Sequence, residues 1–235
     1  MDEYKFFVFE GGDGSGKATQ TKLTTKALKE RGHEVLQTEF PRYGHPGAFV
    51  TEQYLGKAYG KLPPEMATVL YTVDRFDAFK TEMEPAFEEG KIVVSDRWIT
   101  SNKGHQAGKG KTYHERSQIV SFIDELEHGI MGLPRATQTY YLDVHPLLGQ
   151  SLAGIGKNAK IQGKDLHEED IYHLLDARQA YREVAEREGW YVVNCMPAKV
   201  DSYTPKDLER LPLEELFRTR EDINAEIIED IKKYL

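Results

Sequence analysis

Residues 6–17 read Phe-Phe-Val-Phe-Glu-Gly-Gly-Asp-Gly-Ser-Gly-Lys, and this stretch constrains the fold more than any other part of the chain. A short apolar run of β-forming residues comes first. Gly11, Gly12, Gly14 and Gly16 then fall within six positions, and from Lys17 the sequence turns polar and helix-compatible. The order predicts a strand, a tight turn and a helix start. That is the context of a loop that cradles phosphate groups. Glycines let backbone N–H groups approach a polyphosphate closely. The following helix adds unpaired N–H donors and the positive end of its dipole, and Lys17 supplies an ammonium for the outer phosphates. Gly11 to Lys17 fit G-x-x-x-x-G-K, but Ala18 stands where a Ser or Thr hydroxyl would reach magnesium. A glycine-rich turn without a ligand is the competing reading. The glycine spacing does not give G-x-G-x-x-G, which argues against a dinucleotide-binding turn.

The 235 residues suffice for one α/β domain with a sizeable core, and no linker-like shift, internal repeat or low-complexity tract divides them. One domain over 1–235 is expected. A formal net charge of −8 speaks against a general nucleic-acid binder, although a locally basic cleft is compatible with it. Cys195 is the single cysteine, so no intramolecular disulfide forms, and a reducing cytoplasm is expected. The first strand opens within a few residues of Met1, so no signal peptide is expected. No apolar run approaches the ~20 residues of a membrane span.

Taken in order, Thr19 to Arg31 reads as a helix with Leu23, Ala27 and Leu28 on one side and Gly32 as its stop. Glu34 to Thr38 is a second strand, giving a parallel βαβ unit with its ligand at the carboxyl ends of the strands. Phe40-Pro41-Arg42-Tyr43-Gly44 is a loop at that same edge. Arg42 there is either a solvated cation or an anion ligand. Helical patterns follow over His45 to Lys57 and Glu65 to Glu89, the second kinked or divided at Pro85. Lys91 to Ser95 is a nearly all-apolar strand, as in a sheet covered on both faces. Asp96-Arg97-Trp98 follows directly. This pair is either a local ion pair or part of a site at the active edge of the sheet. Ile119, Phe122, Ile123 and Leu126 form a helical stripe that belongs to the core or to a subunit interface. Thr139 to Asp143 and Tyr191 to Asn194 are further strands. Ser151 to Glu169 lacks a clear period and carries Lys157, Lys160 and Lys164. It is either a solvated surface loop or a lid that closes over phosphates. His167, Glu168 and His173 lack the H-E-x-x-H spacing of a zinc site. Ile223, Ile227 and Ile231 mark a packing helix.

Three separated motifs together resemble the thymidylate kinase family. Phe9 to Lys17 is similar to its first motif. Asp96-Arg97-Trp98 with Ser101, Asn102 and Gln106 resembles its D-R-[YW] segment and the S-N-x-A-Y-Q pattern after it. Tyr71 to Arg75, then Pro85 and Gly90, resembles its F-x-x-x-R helix and P-A-L-x-x-G. Weaker similarity runs through Tyr141 to Val144 and Ala180-Tyr181, so that most of residues 5–195 is covered. The chain departs from the pattern at Ala18, at Gly14 where some members carry arginine, at Gly104-His105 in place of Ala-Tyr, and in a lid with lysines for arginines.

The resemblance implies a P-loop kinase fold: a parallel sheet of about five strands flanked by helices, with a short lid over 151–169. It implies an ATP- and magnesium-dependent phosphorylation of dTMP to dTDP by a cytoplasmic homodimer whose ligands are small nucleotides, not nucleic acid or membrane. Lys17 and the loop Gly11, Gly12, Asp13, Gly14, Ser15, Gly16, Ala18 and Thr19 would hold ATP. Asp13 would also meet the acceptor's 3′-hydroxyl. Arg42, Arg75 and Arg97 would gather at the acceptor phosphate, where guanidinium groups bind oxygens in pairs. Tyr71 would stack on the base, Asn102 or Gln106 would read its edge, and Ser101 would line the same pocket. Asp96 would place magnesium directly or through water. Lys17, Asp96, Arg97 and the lid's Lys164 would be the catalytic groups. A kinase for another deoxynucleotide or deoxynucleoside, and a nucleotide-binding regulator without catalysis, are the alternatives.

Overall fold

The computed structural model describes residues 4–146, 148–149, 167–196 and 213–235. Five strands form one parallel sheet: β1 (Phe6–Glu10), β2 (Val35–Glu39), β3 (Ile92–Asp96), β4 (Gln138–Asp143) and β5 (Tyr191–Asn194), in the order β2-β3-β1-β4-β5. β1 is central and buried along its whole length. Its residues alternate between faces, as strand geometry requires. Phe6 and Val8 feed one core with Val93, Trp98, Ile123 and Tyr181. Phe7 and Phe9 feed the other with Val94, Tyr140, Leu142, Ile223 and Ile227. A sheet covered on both faces explains why β1 reads as an unbroken apolar run rather than an alternating one.

The register places the ends of three strands side by side. Phe9 pairs with Asp96 of β3, Glu10 with Tyr141 of β4, and Glu39 of β2 with Asp96. The loops after β1, β2 and β3 therefore open onto one edge, which is where open α/β sheets bind ligands.

Helix α1 (Lys17–Glu30) starts two residues earlier than its polar pattern implied, because Gly16 at φ +93° ends the loop one step before Lys17. The stretch expected as one helix from His45 is a 3₁₀ turn, Pro46–Ala48, followed by α2 (Phe49–Leu55). The longer helical pattern is divided as Pro85 foretold: α3 (Pro64–Ala78), a π-helical stretch Phe79–Met83, then α4 (Glu84–Glu88). Pro85 has no N–H to give to the carbonyl four residues back, and the wider turn absorbs the gap. Helix α5 (Ile99–His105) leaves β3 almost at once. Helix α6 (Tyr113–Asp124) carries the Ile119 stripe and runs into a second π-helical turn, Glu125–Ile130. Ile119 and Ile123 are buried, whereas Phe122 and Leu126 are half-buried.

Helix α7 (His167–Glu188) was not evident from periodicity. Its buried face is largely small and aromatic, with Ala177, Ala180, Tyr181 and Ala185 alongside Leu174 and Val184, and such a face gives a weak apolar signal. The helix takes in the last three residues of the expected lid. Residues 151–166, with Lys157, Lys160 and Lys164, lie outside the described residues. At the C-terminal end, α8 (Leu213–Leu216) and α9 (Arg220–Ile231) follow. Asn224 of α9 donates to Gln20 and Thr24, which fixes α9 on the helix that leaves the glycine-rich loop.

Candidate active site

The loop after β1 closes on itself. Lys17 Nζ donates to the carbonyls of Gly11 at 2.9 Å and Gly12 at 2.7 Å, and Ser15 N donates to Gly12 O. Burial first, then the charge of Arg97, lowers the Lys17 ammonium to about 8. The loop is short of acceptors for this cation: among the described residues its hydrogen bonds go to neutral carbonyls alone. Ser15 Oγ is sealed inside the loop with no partner among those residues. Gly14, at φ +75°, presses on the chain after β4, where a Cβ would lie 1.8 Å from Gly149 O. An arginine cannot stand at this place, which accounts for one departure from the family pattern. Ala18 is exposed at the start of α1.

The loop after β3 is held in an uncommon conformation. Arg97 has φ +70°, a left-handed backbone that costs a non-glycine residue about 1–2 kcal/mol. Several bonds fix it there. Arg97 N donates to Phe9 O, Ser95 Oγ donates to Arg97 O at 2.6 Å, and the next amide, Trp98 N, donates to the carboxylate of Glu10. Glu10 is wholly buried and also accepts from Ser101 Oγ (2.7 Å) and Tyr181 Oη (2.8 Å). Non-glycine residues in such a conformation persist where surrounding structure over-determines them, and they cluster at functional sites.

The strained turn aims the Arg97 guanidinium at the glycine-rich loop. Nη2 donates to Asp13 Oδ1 at 2.6 Å, and Nη1 lies 3.3 Å from His105 Nε2. Burial, followed by the Arg97 charge, lowers His105 to about 3, so the imidazole is neutral at ordinary pH and can accept from Arg97. Gly104 makes room for this arrangement. A Cβ there would meet the Tyr181 ring at 2.2 Å, and that ring must lie flat on Tyr141 for its hydroxyl to reach Glu10. A narrow cavity lined by Gly12, Asp13, His105, Arg178 and Tyr181 opens beside these groups. Asp96 Oδ1 is sealed and unpartnered among the described residues, and burial raises its carboxyl above the usual range.

The other residues picked from sequence fall into separate groups. Arg42 is buried and does not meet solvent. Its Nε donates to Asp74 Oδ1 at 2.9 Å, Nη1 to Glu82 Oε1 at 2.6 Å, and Nη2 to Asp77. Arg75 makes a two-bond fork with Glu127, at 2.7 and 2.8 Å, and Asn102 Nδ2 donates to the same carboxylate at 2.8 Å. Among the described residues Arg42, Arg75 and Arg97 thus share no carboxylate. Tyr71 is half-buried, edge-on to Tyr54 with ring centroids 6.1 Å apart. Gln106 accepts from Lys109, away from this group. Lys164 lies outside the described residues.

Sequence reasoning gave no role in the site to Glu10, Glu127, His105 or Tyr181. Two of them carried a signal. Glu10 is an acid at the end of a strand that is otherwise fully apolar. Glu127 continues the buried stripe of Ile119 and Ile123 at helical spacing, an acid where a core residue belongs.

Comparison with known proteins bears on this geometry. A family model described as thymidylate kinase matches residues 9–201. Thymidylate kinase from Afipia carboxidovorans is 34% identical over 182 residues, covering 77% of this chain and 76% of that one. Probable thymidylate kinase from Pyrobaculum aerophilum is 30% identical over 190 residues, 81% of this chain and 88% of its own. Among solved structures, thymidylate kinase from Ehrlichia chaffeensis aligns with a TM-score of 0.63 at 21% identity, over 97% of this chain and 98% of that one, which is a likeness of fold.

Proposed function

The chain belongs to the thymidylate kinase family, and from that premise we propose that its site transfers the terminal phosphoryl group of ATP to the phosphate of dTMP, giving dTDP and ADP. The observation that carries the reading is the 2.6 Å contact between Arg97 and Asp13. It ties the loop built for donor phosphates to a guanidinium poised for an acceptor anion.

Phosphoryl transfer asks a protein mainly for positioning and for neutralisation of charge. Lys17 is the donor-side cation. A triphosphate offers it charged oxygens in place of two neutral carbonyls, so it leaves Gly11 and Gly12 without loss. The amides of Gly12 to Lys17 and the start of α1 face the same anion. Arg97 stands on the acceptor side, with Asp13 and His105 fixing its plane. When the acceptor arrives, Asp13 turns to the sugar 3′-hydroxyl and Arg97 to the phosphate oxygens. Tyr71 offers a flat face to the base. Lys164 is assigned to the lid on the resemblance alone.

The residues present fit magnesium through Asp96, whose sealed oxygen lacks a partner among the described residues, and not through Ala18. When bound, the ion would supply further neutralisation of the phosphate charge. Asp96 would hold it, directly or through water.

Helix α3 supports a homodimer. Its inward face is polar, with Thr68, Thr72, Asp74 and Arg75 buried, while Met66, Val69, Val73 and Phe76 are 52%, 38%, 42% and 37% exposed. The 3-4-3 spacing makes an outward apolar stripe, the reverse of a monomer's surface helix. Among the described residues no helix is long and apolar enough to cross a membrane. A cytoplasmic enzyme of one domain fits the single buried Cys195.

The test is ADP release across the nucleoside monophosphates. The expected result is the highest kcat/KM with dTMP. Equal or better use of AMP or GMP would overturn the reading.

A further inference from the structure

Arg178 of α7 lies beside the phosphate loop, apart from Lys17 and Arg97. It lines the narrow cavity that Gly12, Asp13 and His105 also line. Asp13 and His105 are the groups that meet the Arg97 guanidinium, at 2.6 and 3.3 Å. The cavity is thus bounded by the donor loop, by the surroundings of Arg97, and by Arg178. Helix α7 is packed closely enough to make this position firm. A Cβ on Gly108, just after α5, would lie 2.9 Å from the backbone of Ala177, and one on Gly104 would meet the Tyr181 ring at 2.2 Å. Ala177 and Tyr181 bracket Arg178 in sequence and line the same cavity.

Arg178 is not a free cation. Its Nε donates to Asp143 Oδ1 at 2.7 Å, and its side chain is 11% exposed. The other oxygen of the same carboxylate accepts from Arg182, from Nε at 2.9 Å and Nη2 at 2.6 Å, and Tyr141 Oη donates to Oδ1 at 3.3 Å. Two features make the Arg178 bond exchangeable. Two guanidinium charges on one carboxylate repel each other, so either gains by meeting a second anion. Nor is Asp143 stranded when Arg178 turns away, because Arg182 keeps both of its bonds; a buried acid left with no partner would forbid the trade. Arg182 is not among the residues that line the cavity, and its side chain is 44% exposed. Arg178 is therefore the one of the pair that borders the loop.

A terminal phosphate held by the loop must enter this space to reach an acceptor at Arg97. Its oxygens are the kind that a planar guanidinium binds through paired N–H donors. We propose that Arg178 is a further catalytic residue, which exchanges Asp143 for the terminal phosphate of the donor and holds the phosphoryl group as it passes toward Arg97. This rests on the dTMP kinase reading above. Fixed positive charge against a phosphoryl group in flight lowers the barrier to its transfer. Arg178 stays charged throughout and no proton leaves it. Its contribution is hydrogen bonds and charge alone.

Arg178→Gln keeps an N–H for Asp143 and removes the charge, so it separates a phosphate ligand from a structural bond. The measurements are calorimetric affinities for ATP and for ADP without acceptor, and kcat and KM with ATP and dTMP, on protein shown to be folded by circular dichroism. The expected outcome is a fall of about 10-fold in the ratio of ATP affinity to ADP affinity, since only ATP carries the phosphate in question. With it, kcat should fall by roughly 10²-fold while KM for dTMP stays within about threefold. Arg182→Gln alters the same carboxylate without touching the cavity, and should leave the affinity ratio and kcat near wild type. If Arg178 served only to brace Asp143, the two variants would behave alike and ATP and ADP would weaken together. An affinity ratio within about twofold of wild type in folded Arg178→Gln protein would overturn the proposal. Arg178→Ala decides the matter by the same ratio if Arg178→Gln does not fold. Failure of the kinase reading looks different: wild type then turns over no nucleoside monophosphate, and the ATP to ADP ratios of wild type and variant still decide the role of Arg178.

Discussion

Arg42 and Arg97 each stand just past the carboxyl end of a parallel strand, β2 and β3, yet the two loops treat them in opposite ways. The loop after β2 surrounds Arg42 with Asp74, Asp77 and Glu82, and the Arg42 backbone amide also donates to Asp74. Every nitrogen of its guanidinium already faces an oxygen. The loop after β3 keeps Arg97 in a strained backbone, gives it an exposed carboxylate on Asp13, and sets a neutral imidazole at its other side. An arginine saturated by three acids, one of them buried, holds helices together. One with an exchangeable acid partner can trade that partner for a substrate. Position at the active edge of a sheet therefore does not assign a role; the company of the side chain does.

The contrast breaks most sharply at Arg42. Arg42→Ala strands Asp74, which is 2% exposed at its side chain, and should lower unfolding free energy by about 3–5 kcal/mol in urea titration. A loss under about 1 kcal/mol would show that the acids relax to solvent and that the clamp is incidental.

Arg97 should show the reverse pattern. Arg97→Gly relieves the left-handed backbone, so the melting temperature should hold or rise, while kcat falls by roughly 10²-fold. A folded Arg97→Gly enzyme with near-normal kcat would reduce Arg97 to an ion-pair partner of Asp13.

A smaller effect is expected at Ala18. Ala18→Ser adds a hydroxyl beside the proposed magnesium site and should lower the half-saturating magnesium concentration several-fold in ADP formation at fixed ATP. Coincident curves would remove Ala18 from the surroundings of the metal.

Lys17 sharpens the comparison from the donor side, where a cation is held by carbonyls. Its folded value of about 8 lies below the ordinary 10.5, so the unfolded chain binds the extra proton between these values. The empty protein should gain stability from this group as pH rises from 8 toward 10.5, and gain nothing from it below about pH 7. Phosphates restore the charge. ATP binding should then take up about half a proton at pH 8 and almost none at about pH 6.5, read by calorimetry in buffers of different ionisation enthalpy. Equal uptake at both values would mean that Lys17 is charged throughout.

The sheet was legible because its strands are apolar and bounded by glycine or proline, and the phosphate loop because its glycines fall at the turn itself. The placing of Asp96-Arg97 at the carboxyl edge of the sheet was legible from the buried strand before it. Other features depend on contacts far apart in sequence. Nothing near Arg42 in the chain announces Asp74, Asp77 and Glu82, which come much later, so neither a solvated cation nor a free anion ligand describes it as found. Helix α7 was missed because its packing face is built on alanines against an aromatic ring. Glu127 broke a hydrophobic stripe, and its meaning appeared only when Arg75 and Asn102 were found on it.

In the proposed reaction the donor loop and Arg97 act on one phosphoryl group as it passes between two nucleotides. Phosphorus-31 NMR of the protein with ATP, magnesium and dTMP tests this most directly. The expected result is the paired resonances of dTDP growing with those of ADP in equal amounts, and no inorganic phosphate beyond background. Inorganic phosphate in place of dTDP, or binding of both nucleotides with no change in either, would contradict it.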